Sequence, residues 1–424
     1  MSARGRHPAA PAERGSRWLA FALALTTATQ LRIPGLPVGA GELLLLGWIL
    51  AEVLRMMFQG RVAGTPLART LPLLWLALWG VLALGWLNAY RLDVRGASAG
   101  HDFPAFVFAG LLVVALVARP GAEARLRASV EAVATATVVP LALLLLAIPV
   151  TTQVGPVVIW AGRFHGWALN PNQIAIALAP VPFLMLHRLH GGTPHRRRVA
   201  LVAAGSVAVG VASLSDALFL GWAIAGALSA AMVFVAALRR PQRSFGRAAL
   251  LYVLVPITLL LGAGAVGVTL VRRVDTIIAS VYHGDREQGA LRVQLWRHGL
   301  EAISESPVVG LGPGAHSGVL APHQGSESHN SLIDWTASTG LVGMSLLGAL
   351  LLWAVARAAA TGSAGLVGAI VAMLTLSLFH YTLRQPLFWF YLLYVTTEAA
   401  AIASRARIRR APASGRPIAA MPGT

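Results

Sequence analysis

Long apolar stretches separated by short polar segments follow one another along the chain from residue 18 to residue 403. A helix needs roughly 20 mostly apolar residues to cross the hydrocarbon core of a bilayer. We therefore predict an all-α, polytopic integral membrane protein with about twelve transmembrane helices. The predicted spans are residues 18–33, 42–58, 71–89, 104–118, 129–150, 172–186, 199–214, 217–238, 248–271, 330–356, 365–382 and 387–403.

The composition agrees with this interpretation and excludes several other classes. Of the 424 residues, 56% are hydrophobic and only 12% are charged, whereas soluble domains carry about 25% charged residues. This balance excludes a soluble enzyme and a disordered chain. The absence of cysteine excludes a disulfide-stapled secreted domain, a thiolate metal site and a cysteine nucleophile.

The placement of arginine predicts how the chain is oriented. The formal net charge is +18, and every basic residue is arginine. If both termini are cytoplasmic, most arginines fall in short cytoplasmic segments, as the positive-inside rule requires. Because these basic runs are spread over loops and a tail, they indicate topology and not nucleic-acid binding. We predict a cytoplasmic N-terminus (1–17), one transmembrane domain (18–403) and a cytoplasmic tail (404–424).

A long external loop at residues 272–329 separates the ninth and tenth predicted spans. Loops of this length in a compact fold are usually functional. Residues 290–304 have the spacing of an amphipathic helix, which we expect to lie along the membrane surface with Trp296 near the headgroups. A glycine-rich turn, expected to be mobile, follows at Gly310–Gly314. Five of the twelve histidines lie in the loop: His283, His298, His316, His323 and His329.

Several short motifs in and near this loop occur in a recognisable order, and together they resemble the O-antigen ligase and O-antigen polymerase superfamily of bacterial integral-membrane glycan transferases. An Arg–Trp helix precedes a Pro-x-x-Gly-x-Gly turn, and a His-Asn pair then opens a glycine-bearing helix. A second match is a glycine followed by Asn-Pro-Asn before a span. The residues are Arg292-Val-Gln-Leu-Trp296, Ser306-Pro307 to Gly314, His329-Asn330-Ser-Leu332, Gly340-Leu-Val-Gly343, and Gly162-Arg163-Phe164 to Asn170-Pro171-Asn172.

Two positions depart from the family pattern. Many members read Ser-x-Ser-Arg between two central spans, where this chain has Ser213-Leu-Ser215-Asp216. An acid there removes one candidate phosphate contact. Members also often carry an acidic residue two positions before the glycine of the His-Asn helix, where this chain has Ser338. The departures leave open which substrate the chain takes. Ligases and polymerases share these motifs and differ only in the acceptor, so the choice between them also stays open.

The resemblance implies a reaction and its partners. Such enzymes transfer a glycan from undecaprenyl pyrophosphate, a lipid-linked oligosaccharide donor, at the outer face of the bacterial inner membrane. The acceptor is a hydroxyl on another glycan, a lipid or a protein. No metal or other cofactor is implied, and the remaining partners are membrane lipids.

Two residues are the leading catalytic candidates. Attack by an acceptor hydroxyl on an anomeric carbon requires removal of a proton, and His329 has the chemistry of a general base. The alternative is a polar helix cap. Arg292 is the candidate for stabilising the pyrophosphate, because its planar guanidinium binds phosphate oxygens bidentately. The alternative for Arg292 is a headgroup anchor. Attack opposite to the leaving pyrophosphate predicts inversion at the anomeric carbon.

Further residues are candidates for substrate binding, each with a simpler alternative. Arg163 and Arg384 are expected at the external rim as additional phosphate contacts, and Asn172 and Trp296 belong to the matching motifs. His316 and His323 are second candidates for the base, and both are otherwise expected to be solvated.

Asn330 either orients His329 or caps its helix, and Asp216 either contacts substrate or begins the next span. The spacing of His316, His323 and His329 matches no compact zinc pattern.

Two other functions remain open. A transporter or lipid-glycan flippase without catalysis would usually place ionisable groups at the bilayer midplane and show paired repeats. Here such groups concentrate in one external loop, which favours an enzyme. A structural scaffold would not need a loop rich in histidine and arginine.

Overall fold

The structure is a computed structural model, and it describes residues 11–33, 38–60, 63–94, 99–148, 158–160, 162–238, 288–316 and 323–410. Thirteen α-helices cover most of these residues. Two antiparallel strands of two residues each, Ile159–Trp160 (β1) and Arg163–Phe164 (β2), form a short hairpin between α5 and α6. The helices are α1 Pro11–Leu25, α2 Ala40–Gln59, α3 Pro66–Arg91, α4 Ala99–Val117, α5 Ala122–Leu146, α6 Pro171–Leu178, α7 Val181–His190, α8 Arg196–Ser213, α9 Asp216–Leu238, α10 Gln288–Glu305, α11 Ser331–Ala360, α12 Ala364–Ser377 and α13 Pro386–Arg410.

The helices have the length and composition of a membrane protein. Five described helices, namely α3, α5, α9, α11 and most of α13, are long and apolar enough to cross a bilayer, and two shorter apolar helices lie within α4 and α12. The mostly helical architecture with several candidate membrane spans is thus confirmed. The count of about twelve spans stays a prediction, because the ninth span (248–271) lies outside the described residues. Much of the loop 272–329, including His283, also lies outside them.

The sixth predicted span is two helices instead of one. α6 ends at Leu178, and α7 begins at Val181 after Pro180. Proline has no backbone N–H with which to continue the helical hydrogen bonds. Trp222 of α9 donates from its indole nitrogen to the carbonyl of Ala179 at 3.0 Å. The packing of α9 therefore holds the chain at this break.

α11 is also interrupted, at Gly340. This glycine has φ 61° and ψ −166°, a conformation that side-chain-bearing residues rarely adopt. A Cβ atom at Gly340 would lie 2.3 Å from the carbonyl carbon and oxygen of Val308. Only glycine fits here, because of the backbone angles and because the segment that follows α10 comes so close at Val308.

The turn that follows α10 fills this interruption. It was expected to be mobile, but the structure joins it to α11 by four backbone hydrogen bonds, two in each direction. Carbonyl groups before the break and N–H groups after it, which a broken helix leaves unpaired, therefore both have partners. The N–H groups of Leu311 and Gly312 in the turn donate to the carbonyls of Ala337 and Ser338 in α11. In the other direction, the N–H groups of Leu341 and Val342 in α11 donate to the carbonyls of Pro307 and Val308.

α3 packs against the other side of the turn. A Cβ at Gly85 would lie 2.7 Å from the nitrogen of Gly312, so the two backbones are nearly in contact. One turn further along α3, the side-chain amide of Asn88 donates to the hydroxyl of Ser306 at 2.8 Å. The turn is therefore enclosed between α3 and α11.

Candidate functional site

A buried carboxylate from α4 stands at the centre of a cluster of ionisable side chains. Asp102 is 1% exposed. Its Oδ1 lies 2.6 Å from Nη1 of Arg384, and its Oδ2 lies 2.9 Å from Nε2 of His316. We call the end of the bundle that carries this cluster the histidine end.

His316 is buried, contrary to its expected place in a solvated loop. It is 3% exposed, because the turn that carries it is packed between α3 and α11. Besides Asp102, its Nδ1 lies 3.7 Å from Oδ1 of Asp334, and its ring meets that of Tyr381 edge-on at 5.1 Å. Burial alone lowers the pKa of His316, but the hydrogen bond and charge of Asp102, with the charge of Asp334, outweigh it and raise the pKa.

Arg384 is held by two carboxylates and one aromatic ring. It pairs with Asp102 and with Glu327, and its guanidinium lies over the ring of Tyr381 at 4.8 Å. Burial lowers the pKa of Arg384, but the charges of Glu327 and Asp102 more than offset this and raise it. With only 14% of its side chain exposed, Arg384 lies inside the cluster and not at an open rim.

His329 lies at the mouth of the cluster. Its side chain is 47% exposed, and its Nδ1 is 3.9 Å from Oε2 of Glu327. Its backbone is in the left-handed region, with φ 56°, which is uncommon for residues other than glycine. Burial lowers the pKa of His329, Glu327 raises it, and the positive charges of Arg292, Arg384 and His316 lower it further, with a net decrease.

The residues after His329 fix its backbone. Asn330 caps α11, because its Oδ1 accepts from the N–H groups of Leu332 and Ile333 at 3.0 and 3.4 Å. The capping interpretation of Asn330 is thus confirmed. Ser331 then donates to the carbonyl of His380 at 2.7 Å, which ties the start of α11 to the loop between α12 and α13.

His380 shows how closely positive charges gather at the histidine end. It is 7% exposed, and its ring lies 6.4 Å from that of His329. Burial lowers the pKa of His380, and the charges of Arg292, His329 and Arg163 lower it further, to about 3. Two arginines from distant parts of the sequence therefore lie close enough to act on one buried imidazole.

α10 brings Arg292 to this end of the bundle. The helix extends over Gln288–Glu305, as the spacing of residues 290–304 predicts. The indole nitrogen of Trp296 donates to the carbonyl of Ser328 at 2.9 Å, so this side chain fastens α10 to the segment before His329. Arg292 itself is exposed.

His323 lies apart from the buried cluster. Its Nε2 is 3.3 Å from the side-chain oxygen of Gln294, and its ring is 5.7 Å from that of His298. The contact with Gln294 is exposed, in agreement with the solvated position expected for this histidine.

Arg163 and Asn172 form a second group, on the hairpin and α6. Arg163 donates from Nε to the carbonyl of Ser213 at 3.1 Å and from Nη2 to Oδ1 of Asn172 at 3.3 Å. Ser215 donates to the same oxygen at 2.9 Å. Asp216 is exposed in the first turn of α9, where a negative charge is favourable.

Three acidic residues of the cluster were not predicted as site residues: Asp102, Glu327 and Asp334. A signal existed for Asp102, an acid at the predicted external boundary of an apolar span. Asp334 is 0% exposed, and its Oδ1 accepts from the N–H of Ser328 at 2.8 Å. Within the described ranges, no three histidine or acidic side chains are arranged so that they could hold a metal ion.

A sequence model of the family described as O-antigen ligase matches residues 200–348, about a third of the chain. The matched range includes Arg292, the glycine turn and the His329-Asn330 pair. A search of curated proteins finds no match.

Proposed function

The chain belongs to the O-antigen ligase and polymerase superfamily, and from this premise we propose that it transfers a glycan from undecaprenyl pyrophosphate to an acceptor hydroxyl. The reaction takes place at the histidine end, on the outer face of the bacterial inner membrane, with both termini in the cytoplasm. The observation that carries the proposal is His329, which is half-exposed at the mouth of the cluster and whose pKa is lowered by burial and by the positive charges of Arg292 and Arg384.

The lowered pKa suits a general base. A histidine with a pKa below its ordinary value is neutral at pH 7, so its imidazole accepts a proton as the acceptor oxygen attacks. The acceptor oxygen forms a bond to the anomeric carbon while the bond from that carbon to the pyrophosphate oxygen breaks. The proton of the hydroxyl goes to His329, and undecaprenyl pyrophosphate leaves with the electron pair. This geometry inverts the anomeric centre.

The arginines have different roles in this mechanism. Arg292 is exposed and, within the described residues, forms no ion pair with a carboxylate, so we assign to it the contact with the departing pyrophosphate. Arg384 is already held by Asp102 and Glu327, so its charge acts on the leaving group over a distance. Arg163 holds Asn172 and the segment at Ser213, and its charge acts on His380.

A cavity next to the mouth supports a lipid-linked donor. It measures about 370 Å³ and lies between α11, α12 and α13. Ser331 and Ser377 line it near the cluster, whereas Leu347, Leu351 and Val355 line the part along α11. A site for an isoprenoid pyrophosphate needs this combination of a polar end and an apolar wall.

The test is glycan transfer by the purified protein in liposomes. The donor is an undecaprenyl-pyrophosphate oligosaccharide, and the acceptors are a lipid, a glycan and a peptide. We expect transfer by the wild type and loss in His329→Ala and Arg292→Ala. Arg297→Ala is the matched control, because Arg297 is an exposed arginine of the same helix α10, and it should retain activity.

Three results would contradict the proposal. Full activity of His329→Ala and Arg292→Ala would exclude the assigned mechanism. Retention of the anomeric configuration would exclude direct transfer. Movement of the donor lipid across the bilayer without glycan transfer to any acceptor would favour a flippase.

A further inference from the structure

A second cavity, with charged residues in its lining, lies between α1, α2, α5 and the segment after α4. It measures about 520 Å³, and its lining includes Arg55, Arg119 and Arg125. Trp48 also lines it, and its indole nitrogen donates to the carbonyl of Gly15 at 3.1 Å. We call this space the arginine cavity.

The arginine cavity lies at the opposite end of the bundle from the histidine end. Asp102 is in the first turn of α4, whereas Arg119 comes two residues after the helix ends at Val117. At 1.5 Å per residue, the helix separates these positions by about 22 Å. The arginine cavity is therefore no part of the site described above. The proposed orientation places it on the cytoplasmic side.

One buried carboxylate fixes two of the three arginines. Glu52 is 3% exposed. Its Oε1 pairs with Arg55, and its Oε2 pairs with Nη1 of Arg119 at 2.5 Å. Each of the two guanidinium groups has five N–H donors, so these contacts position them and leave further donors. Among the described residues, Glu52 forms ion pairs with these two arginines and not with Arg125.

Arg125 adds a charge that no described carboxylate pairs with. Its Nη1 donates to the carbonyl of Pro120 at 2.5 Å, and its Nη2 donates to the carbonyl of Arg119 at 3.1 Å. These contacts hold the guanidinium in place without neutralising it. The lining therefore carries three arginines against the single acid Glu52, an excess of positive charge in a partly enclosed space.

We propose that the arginine cavity binds a phosphate-bearing anion, either the headgroup of an anionic phospholipid or free phosphate. The planar fork of arginine matches phosphate oxygens, and basic pockets between membrane helices on the cytoplasmic side are suited to anionic headgroups. Leu19, Leu116 and Trp48 supply apolar walls beside the arginines. This site is independent of the glycan-transfer proposal.

The test is isothermal titration calorimetry on the full-length protein in a non-ionic detergent. The ligands are dioctanoyl phosphatidylglycerol, dioctanoyl phosphatidylcholine and sodium phosphate. We expect phosphatidylglycerol or phosphate to bind and phosphatidylcholine to bind more weakly. Arg125→Gln should weaken anion binding about fivefold, because it removes the charge and leaves both ion pairs of Glu52 in place.

Control variants separate the site from general surface charge and from folding defects. Arg69→Gln removes an exposed arginine in the first turn of α3 and should bind like the wild type. Arg125→Lys keeps the charge but loses the fork. It should bind more weakly than the wild type, and it serves as the test variant if Arg125→Gln does not fold.

The pattern of binding identifies the source of the phosphate group. Arg125-dependent binding of phosphatidylglycerol alone assigns the arginine cavity to a lipid headgroup, and Arg125-dependent binding of sodium phosphate assigns it to free phosphate. The proposal is overturned if neither anion binds, if phosphatidylcholine binds as tightly as phosphatidylglycerol, or if the Arg125 variants bind like the wild type.

Discussion

Nε2 of His316 lies 2.9 Å from Oδ2 of Asp102, although the two residues come from the glycine-rich loop and from a helix far earlier in the chain. The same carboxylate holds Arg384 through its other oxygen. Asp102 thus joins three segments of the sequence at one buried point. If the proposed reaction occurs at the histidine end, Asp102 positions its cationic groups without touching substrate.

We expect Asp102→Asn to lower both stability and transfer. The change removes the charge that compensates Arg384 and His316 inside the bundle, and breaking a buried ion pair in this way costs about 3 kcal/mol. The measurements are Tm in detergent and the kinetic parameters of glycan transfer, where kcat should fall more than KM rises. Asp93→Asn is the control, because Asp93 is exposed with φ 54° and asparagine tolerates this conformation. Equal effects of the two changes would contradict a positioning role for Asp102.

His329→Ala should reduce kcat by a factor of about 10² to 10⁴, the usual contribution of a general base. The pH dependence gives a sharper test. Because the pKa of His329 is lowered, the acid limb of kcat/KM in the wild type should fall below pH 6.5, the ordinary value for histidine. Arg292→Gln removes a charge that lowers this pKa, so the limb of its residual activity should move up. If the acid limb of Arg292→Gln stays where it is in the wild type, either His329 is not the titrating base or Arg292 does not affect its pKa.

Stability should depend on pH through His316. The pKa of this residue is raised in the folded protein, so its stabilising contribution is complete below the ordinary value near 6.5 and is lost as the pH rises through the folded pKa. We expect the Tm of the wild type to fall above pH 6.5 by more than the Tm of His316→Asn. The comparison of the two slopes isolates His316 from the other histidines. Parallel slopes would show that His316 is not charged in the native state.

Gly340→Ala should destabilise the protein by about 2 kcal/mol or more. The change forces alanine to φ 61° and ψ −166°, a region that essentially only glycine occupies, and places its Cβ 2.3 Å from the backbone of Val308. Gly362→Ala is the matched control, because Gly362 has φ 67° and nothing within 4 Å of the added Cβ. It should cost about 1 kcal/mol from the backbone alone. The larger fall in Tm of Gly340→Ala reflects the contact between α11 and the turn together with its more restricted backbone, and equal falls would contradict that packing.

The sequence predicted the parts of this structure that depend on local pattern. Apolar runs gave most helix positions, the spacing of Leu295 and its neighbours gave α10, and Asn330 has the short polar side chain that caps a helix. The burial of His316 could not be predicted in this way. It results from the turn being enclosed between α3 and α11, and such long-range packing leaves no periodic signal in the loop itself. The same reason explains why Asp102, which meets the loop only in three dimensions, was not predicted as a site residue.

The break in α11 also has an electrostatic consequence. The partial negative charge at the end of its first segment, on the carbonyls of Ala337 and Ser338, is met by the N–H groups of Leu311 and Gly312. The partial positive charge at its beginning, next to His329, is met in part by the cap of Asn330 and by the carboxylate of Asp334 in the first turn. The segment therefore acts as a short dipole whose positive pole faces the mouth of the cluster. An anion approaching His329 would be attracted by the backbone itself as well as by Arg292.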